Sequence, residues 1–190
     1  MIEYRCFLDK YYVLSDLDWL QITKKIVVRN FSKGDIILKK GKIEHYVSFV
    51  NKGIVRSVLH HKEKEKTVDF FFSNEYMCSW ASFYKEEVSL YDFEAFNDVE
   101  LFSISRNDII EIEKQNSELI AVSKGIIGDF LLKKTEKIES LLFKTPEERY
   151  LEIYEKEPKL IQLIPLQYLA SYIGISPQSL SRIRNRIFKG

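Results

Sequence analysis

Six polar side chains near the C-terminal end share two properties: on a helix they fall on one outward face, and none is acidic. Gln178, Ser179, Ser181, Arg182, Asn185 and Arg186, with Ser176 just ahead of them, are the residue types that reach base edges and phosphates of duplex DNA. A guanidinium makes two-point contact with guanine, a carboxamide with adenine, and hydroxyls meet phosphate oxygens. An acid on this face would repel the phosphates, and residues 159–190 contain none against five basic residues, Lys159, Arg182, Arg184, Arg186 and Lys189. The remainder is net acidic although the whole chain carries +1, so a basic end is joined to an acidic body.

Such a face needs a scaffold, and residues 166–186, LQYLASYIGISPQSLSRIRNR, supply one. Ala170 is small where two helices must approach closely. Gly174 tolerates the positive φ of a tight turn between them. Leu169, Ile173, Ile175, Leu180 and Ile183 fall on the inward faces, and Ser176-Pro177 is a cap followed by proline at the first helical position. The segment predicts a helix-turn-helix whose second helix reads DNA. Ahead of it, Thr145-Pro146-Glu147-Glu148 opens another helix, which Pro158 ends, and residues 159–164 read as a linker.

Upstream the pattern changes twice. Residues up to about 19 read as one short amphipathic helix, with Ser15 able to cap the residues after it. Between about 25 and 105, apolar runs at 26–31, 36–38, 46–51, 54–60, 67–72, 93–95 and 100–104 alternate with turn residues, among them Gly34, Gly41 and Gly53. Seven short strands suggest a sandwich, barrel or jelly roll, with the polar stretch HHKEKEK (60–66) as a solvated hairpin tip. From about 106 to 144 the periodicity is helical. Asn107 is positioned to cap a first helix, and Asn116 or Ser117 a longer one whose stripe of Leu119, Val122, Ile126, Phe130, Ile138 and Leu141 packs on the β domain or on a second subunit. Gly125 and Gly128 weaken that helix but permit close backbone approach.

Several function classes are set aside. Cys6 and Cys78 lack metal-ligand spacing, so no metal site or intrinsic iron–sulfur cluster is expected. A metal-dependent jelly-roll enzyme needs two or three histidines and a carboxylate on one metal. Of His45, His60 and His61, the last two are strand neighbours facing opposite ways. No catalytic residues are expected, and the chain is not read as an enzyme. No apolar run approaches the ~18 residues of a membrane span, and the first residues, MIEYRCFLDKYY, lack a signal peptide's apolar stretch, so the expected location is the cytoplasm. The alternatives are a cupin-like metal-dependent protein and a ligand-binding module that does not bind DNA.

Three segments in this order resemble the Crp/Fnr family of transcription regulators over nearly the whole chain. Lys33-Gly34-Asp35, Gly41 and Phe49–Arg56 (FVNKGIVR) resemble the turn-strand-turn signature of a cyclic-nucleotide-binding β-roll. Thr145–Tyr150 (TPEERY) resembles the entry to the DNA-binding domain, and Gly174–Arg182 (GISPQSLSR) the entry to the recognition helix. The resemblance implies an α+β chain. A double-stranded β-helix sensor of jelly-roll, cNMP-binding-like form spans 1–115, a dimerisation helix 116–144, and a winged-helix-like helix-turn-helix domain 145–190. Its partners would be double-stranded DNA, a second copy through the 116–144 helix, and RNA polymerase. By the same resemblance Gln178 and Arg182 fall on base-reading places, Ser176 and Ser179 on phosphate-contacting ones, and Pro177 stands where many members have arginine. Any wing would come from residues 160–164 or be very reduced. The effector pocket would involve Glu75, Ser82, Lys85, Ser89 and Leu90. Asn74-Glu75 replaces the family's Gly-Glu pair, and Ser89 falls where cyclic-AMP binders carry the arginine that grips the phosphate. The expected effector, if one exists, is therefore a small molecule other than cyclic AMP. Trp80, Phe83, Tyr84 and Tyr91 crowd that region.

Overall fold

The computed structural model describes residues 1–62 and 64–189. Two short helices, α1 (Ile2–Leu8) and α2 (Asp16–Lys24), replace the single N-terminal helix expected. Ser15 begins the second through a reciprocal cap with Asp18. The break between them is held by side chains: Asp9 accepts from the Leu14 amide at 2.9 Å, and Arg5 donates to the Leu14 carbonyl at 3.1 Å.

Eight strands follow: β1 (Val27–Phe31), β2 (Ile36–Leu38), β3 (Tyr46–Lys52), β4 (Val55–His61), β5 (Lys64–Phe71), β6 (Tyr76–Met77), β7 (Tyr91–Ala95) and β8 (Val99–Ser105). The apolar runs locate seven of them. β6, two residues long, is not among the expected strands. HHKEKEK is not a loop either, because β4 and β5 extend into it and pair as far as His61 with Lys64. The strands make two four-stranded sheets, β1-β8-β3-β6 and β2-β7-β4-β5, face to face. Val50, Val55, Phe71, Met77, Phe93 and Leu101 fill the space between them. The first sheet also buries its outer face. Along β3, Val50 points inward, while Phe49 points out and meets Phe102 from β8 and Tyr4 from α1. Burial on both faces explains why β3 reads as an unbroken apolar run.

α3 (Trp80–Lys85) lies between β6 and β7, and α4 (Arg106–Gln115) comes after β8. Ser105, rather than Asn107, caps α4 by accepting from the Asp108 amide at 3.1 Å. Asn116 caps a single 3-10 turn, Ser117–Leu119, which leads into the long helix α5 (Ile120–Phe143). The expected stripe divides. Leu119, Val122 and Ile126 are buried with Tyr4, Leu8 and Ile22 on the outer face of the first sheet, and Phe130 touches Trp80. Beyond it Leu131, Leu132, Ile138, Leu141, Leu142 and Phe143 are exposed, Phe143 to 83%.

α6 (Pro146–Lys156) starts with a Thr145–Glu148 capping box. The expected linker after Pro158 is instead a helix, α7 (Pro158–Leu163), with the proline at its first position, where its missing N–H is harmless. α8 (Leu166–Ile173) and α9 (Pro177–Lys189) complete the fold. Among the described residues no strand lies beyond Ser105, and the segment from which a wing was expected is helical instead, which leaves the reduced form of the C-terminal domain. No helix is long and apolar enough to cross a membrane.

Gly125 shows why a glycine sits in the middle of α5. A Cβ there would overlap the Tyr11 ring, whose hydroxyl donates to Asp129 at 2.6 Å one turn further on. Gly128 has open space around it in the protomer. Gly125→Ala is therefore expected to lower stability by about 1–3 kcal/mol through forced repacking of the N-terminal segment. Thermal or urea unfolding checks this, and an unchanged midpoint would mean that Tyr11 does not seat on α5.

Candidate nucleic-acid interface

The turn between α8 and α9 is fixed by backbone geometry. Gly174 has φ of +86°. Its amide donates to Ser171 O at 3.1 Å, and the next amide, of Ile175, donates to Ala170 O at 3.0 Å, closing a Schellman motif. Ala170 is fully buried, and Leu169, Ile173, Leu180 and Ile183 share one core with Tyr150 of α6 and Leu160 of α7. Ser176 then caps α9, accepting from the Ser179 amide at 3.2 Å, with the two hydroxyls 2.9 Å apart. The inward residues lie as the sequence pattern requires.

The outward residues divide. Ser176, Gln178, Ser181, Arg182 and Asn185 are exposed, Ser179 is half-buried beside its capping partner, and α9 carries no acid. Arg186 is exposed but engaged. Its Nε donates to Glu147 Oε1 at 3.2 Å, and a second guanidinium nitrogen meets the other oxygen of that carboxylate. Glu147 sits in the first turn of α6, so this pair ties the far end of α9 to the start of the C-terminal domain.

Sequence reasoning missed how this unit is seated. α8 packs on the sheet β2-β7-β4-β5 with two tyrosines one turn apart. Tyr168 meets Phe96 edge-on at 5.4 Å, and Tyr172 meets Phe70 at 6.0 Å. Under Tyr168 lies Arg56 of β4, 3% exposed, its guanidinium 4.4 Å from the ring centre. Arg56 donates to Thr67 Oγ1 at 3.0 Å, Glu94 at 2.9 Å and Glu65 at 2.6 Å. The free edge of β5 adds a hydrogen bond from the Thr67 amide to Ser171 Oγ at 2.9 Å. The only sequence signal is the Tyr168/Tyr172 spacing, on a helix whose inward face other residues already define.

The five residues assigned to an effector pocket do not converge. Glu75 accepts from the Phe72 amide at 3.0 Å, pairs with Lys133 at 3.6 Å, and is pushed above the usual carboxylate range by burial. It lines a cleft with Phe7, Tyr11, Trp80 and Phe130, in which the other four take no part. Ser82 is buried, accepting from the Glu44 amide at 2.9 Å and donating to Glu87 O at 2.5 Å. Ser89 is buried and bonded to Ser79 Oγ and Tyr91 O, each at 3.0 Å. Lys85 and Leu90 are exposed. These residues do not fit a cyclic phosphate: the hydroxyl at the arginine place is already bonded within the protein, and the buried arginine of β4, Arg56, is held by two carboxylates. The expected aromatic crowding is present in part. Trp80 stacks on Tyr84 at 6.0 Å and meets Phe83 edge-on, whereas Tyr91 packs with the inner core. Among the described residues no cluster of three His, Cys, Asp or Glu could hold a metal, and His60 pairs with Asp92 at 2.7 Å.

Comparison with known proteins agrees with this architecture. The cyclic nucleotide-binding domain family matches residues 28–116. Among solved structures, FixK2 from Bradyrhizobium japonicum superposes with a TM-score of 0.73 at 16% identity, covering 86% of this chain and 85% of its own. A CooA mutant from Carboxydothermus hydrogenoformans gives 0.71 at 18% identity, covering 88% and 78%. A protein described as a Crp/Fnr-family transcriptional regulator from Eubacterium rectale gives 0.68 at 18%, covering 93% and 84%. No curated protein sequence matches the chain. The fold is thus that of the Crp/Fnr regulators: a cyclic-nucleotide-binding-type β-roll, a long helix and C-terminal helices.

Gly174→Ala places a Cβ in the left-handed region and is expected to lower stability by about 1–2 kcal/mol. Unfolding midpoints would report it, and a midpoint equal to that of the unsubstituted chain would rule out the turn geometry described.

Proposed function

We propose that this chain, which has the fold of the Crp/Fnr regulators, is a DNA-binding transcription regulator acting in the cytoplasm as a homodimer. The observation that carries the reading is the exposed, acid-free face of α9 around Gln178 and Arg182. Arg182 makes two-point contact with a guanine and Gln178 with an adenine. Ser176, Ser179, Ser181 and Asn185 serve the phosphates and neighbouring edges. Arg186 keeps its place in the pair with Glu147, so its role is to orient the helix rather than to read sequence.

Two copies join along the second half of α5. Leu131, Leu132, Ile138, Leu142 and Phe143 are too many large apolar side chains for a helix left in water, and an expanse of this kind marks an interface. Paired in this way, the two α9 helices enter successive major grooves about 34 Å apart on a roughly palindromic site. RNA polymerase is the partner through which such a protein acts. The effector is a small molecule other than cyclic AMP, in line with the bonded hydroxyl of Ser89.

Purified protein is expected to shift a fragment of the promoter it controls. Arg182→Ala should weaken that binding by ~1–3 kcal/mol at fixed salt. Equal affinity in a titrated mobility-shift assay would remove Arg182 from the reading. Replacing Ile138 and Leu142 together by aspartate should leave the protomer folded and give a monomer on sedimentation. A persistent dimer would place the interface elsewhere.

A further inference from the structure

The long helix meets the sensor sheet and the helix-turn-helix at one small cluster of charged side chains. Lys133, Lys134 and Lys137 lie close together on α5, the last two reaching β5 and the first reaching Glu75 just before β6. Lys134 pairs with Asp69, which is 3% exposed, and Lys133 lies 3.6 Å from Glu75. Among the described residues Lys137 has no carboxylate as a hydrogen-bond acceptor. Its Nζ donates to the backbone carbonyl of Val68 on β5 at 2.5 Å and sits 3.3 Å from the centre of the Tyr172 ring on α8. One amine thus touches the sensor, the long helix and the helix that carries the recognition unit.

We infer that Lys137 is a pH-sensitive element of this seam: its amine is lodged between α8 and β5, and loss of its proton tightens the contact. Its bearing on transcription rests on the reading above, whereas the docking itself does not.

The charges facing the amine give the sign. From α5, Lys133 and Lys134 repel a proton on it; from β5, Asp69 attracts one, while Glu75, just before β6, is engaged by Lys133; from the end of α6, Glu157 attracts and Glu152 lies close by; from α8, Tyr172 stays protonated because burial pushes its phenol well up. Asp69 and Glu75 already have lysine partners, so burial dominates and pushes the Lys137 ammonium down to about 7. A neutral amine still donates to Val68 O and rests on the Tyr172 ring. Were α8 to lift away, Lys137 would be hydrated and hold its proton up to the ordinary lysine range near 10.4. Between about 7 and that range the docked form therefore holds fewer protons than the undocked form. Raising pH in this window favours docking, by up to about tenfold per pH unit. Below about 7 both forms are protonated, and docking is flat at its weakest.

The Thr67 amide reports this directly. It donates to Ser171 Oγ across the contact and lies on the free edge of β5, so its protection depends on α8 rather than on a neighbouring strand. Amide exchange of the full chain without DNA, corrected for intrinsic rates, should show Thr67 protection rising several-fold per unit between pH 7 and 8.5. In Lys137→Met, which keeps the length and removes the charge, protection should be high and independent of pH. The Lys137 side-chain NMR signal should titrate near 7 in the unsubstituted chain, a measurement that stands even if the variant fails to fold. Flat Thr67 protection in the unsubstituted chain, an equal slope in Lys137→Met, or a Lys137 midpoint near 10 would each overturn the inference. None of these results bears on whether Arg182 reads DNA, and an Arg182→Ala failure would leave the docking intact.

Discussion

The buried guanidinium of Arg56 is where the two halves of the molecule are joined. A charge taken out of water has to keep its partners, because leaving it unpaired costs about 3–5 kcal/mol. Those partners of the β4 residue come from two other strands and a helix: Glu65 and Thr67 on β5, Glu94 on β7 and the Tyr168 ring on α8. The strand partners are set by sheet pairing, so Tyr168 is the movable member. The place of α8, and through the Gly174 turn the place of α9, is therefore specified by the same side chain that ties together the sheet β2-β7-β4-β5. Aromatic contacts from Phe70 and Phe96 add area to this junction but little direction; the guanidinium supplies the direction.

The long helix has two solvents. Its first turns are part of the β-roll core, sealed by Tyr4, Leu8 and Ile22 and approached so closely by Tyr11 that only glycine fits at position 125. Its last turns present leucine, isoleucine and phenylalanine to water in the protomer. Between these stretches lies the lysine face. The helix is also anchored past its C-terminal end: Glu152 of α6 is held well below the usual carboxylate range, at about 2, by Lys144 and Lys156, and it accepts from Ser140 of α5 at 3.0 Å.

What the sequence discloses depends on how local the cause is. The helix-turn-helix is legible because Ala170, Gly174 and Ser176-Pro177 act within their own turns, and the strands because apolar runs between turn residues need no partner to be recognised. Where a distant group decides the outcome, the sequence pattern misleads. The gap between α1 and α2 contains no proline or glycine and is made by Asp9 and Arg5 reaching to Leu14. β6 exists only because Ser48 and Phe49 of β3 pair with it. Pro158 reads as a stop although the residue is equally suited to start a helix, and the packing of Leu160 into the C-terminal core decides for α7. The face of α9 is identifiable residue by residue, but the engagement of Arg186 by a glutamate far away in sequence leaves no periodic trace. The effector residues are placed by counting along a resemblance, and counting does not show that a serine hydroxyl is already bonded to its neighbours.

The pair between Arg186 and Glu147 has one further consequence. On the reading proposed for α9, with its far end tied to the scaffold, the stretch from Gln178 to Asn185, about two helical turns, is what would meet a duplex. A reader with so short a probe would recognise few base pairs per half-site, and every genome holds many near-matches to a short word. Discrimination in such a protein would fall to the distance and orientation between two words, and so to the geometry of the apolar seam on α5 more than to the vocabulary of α9.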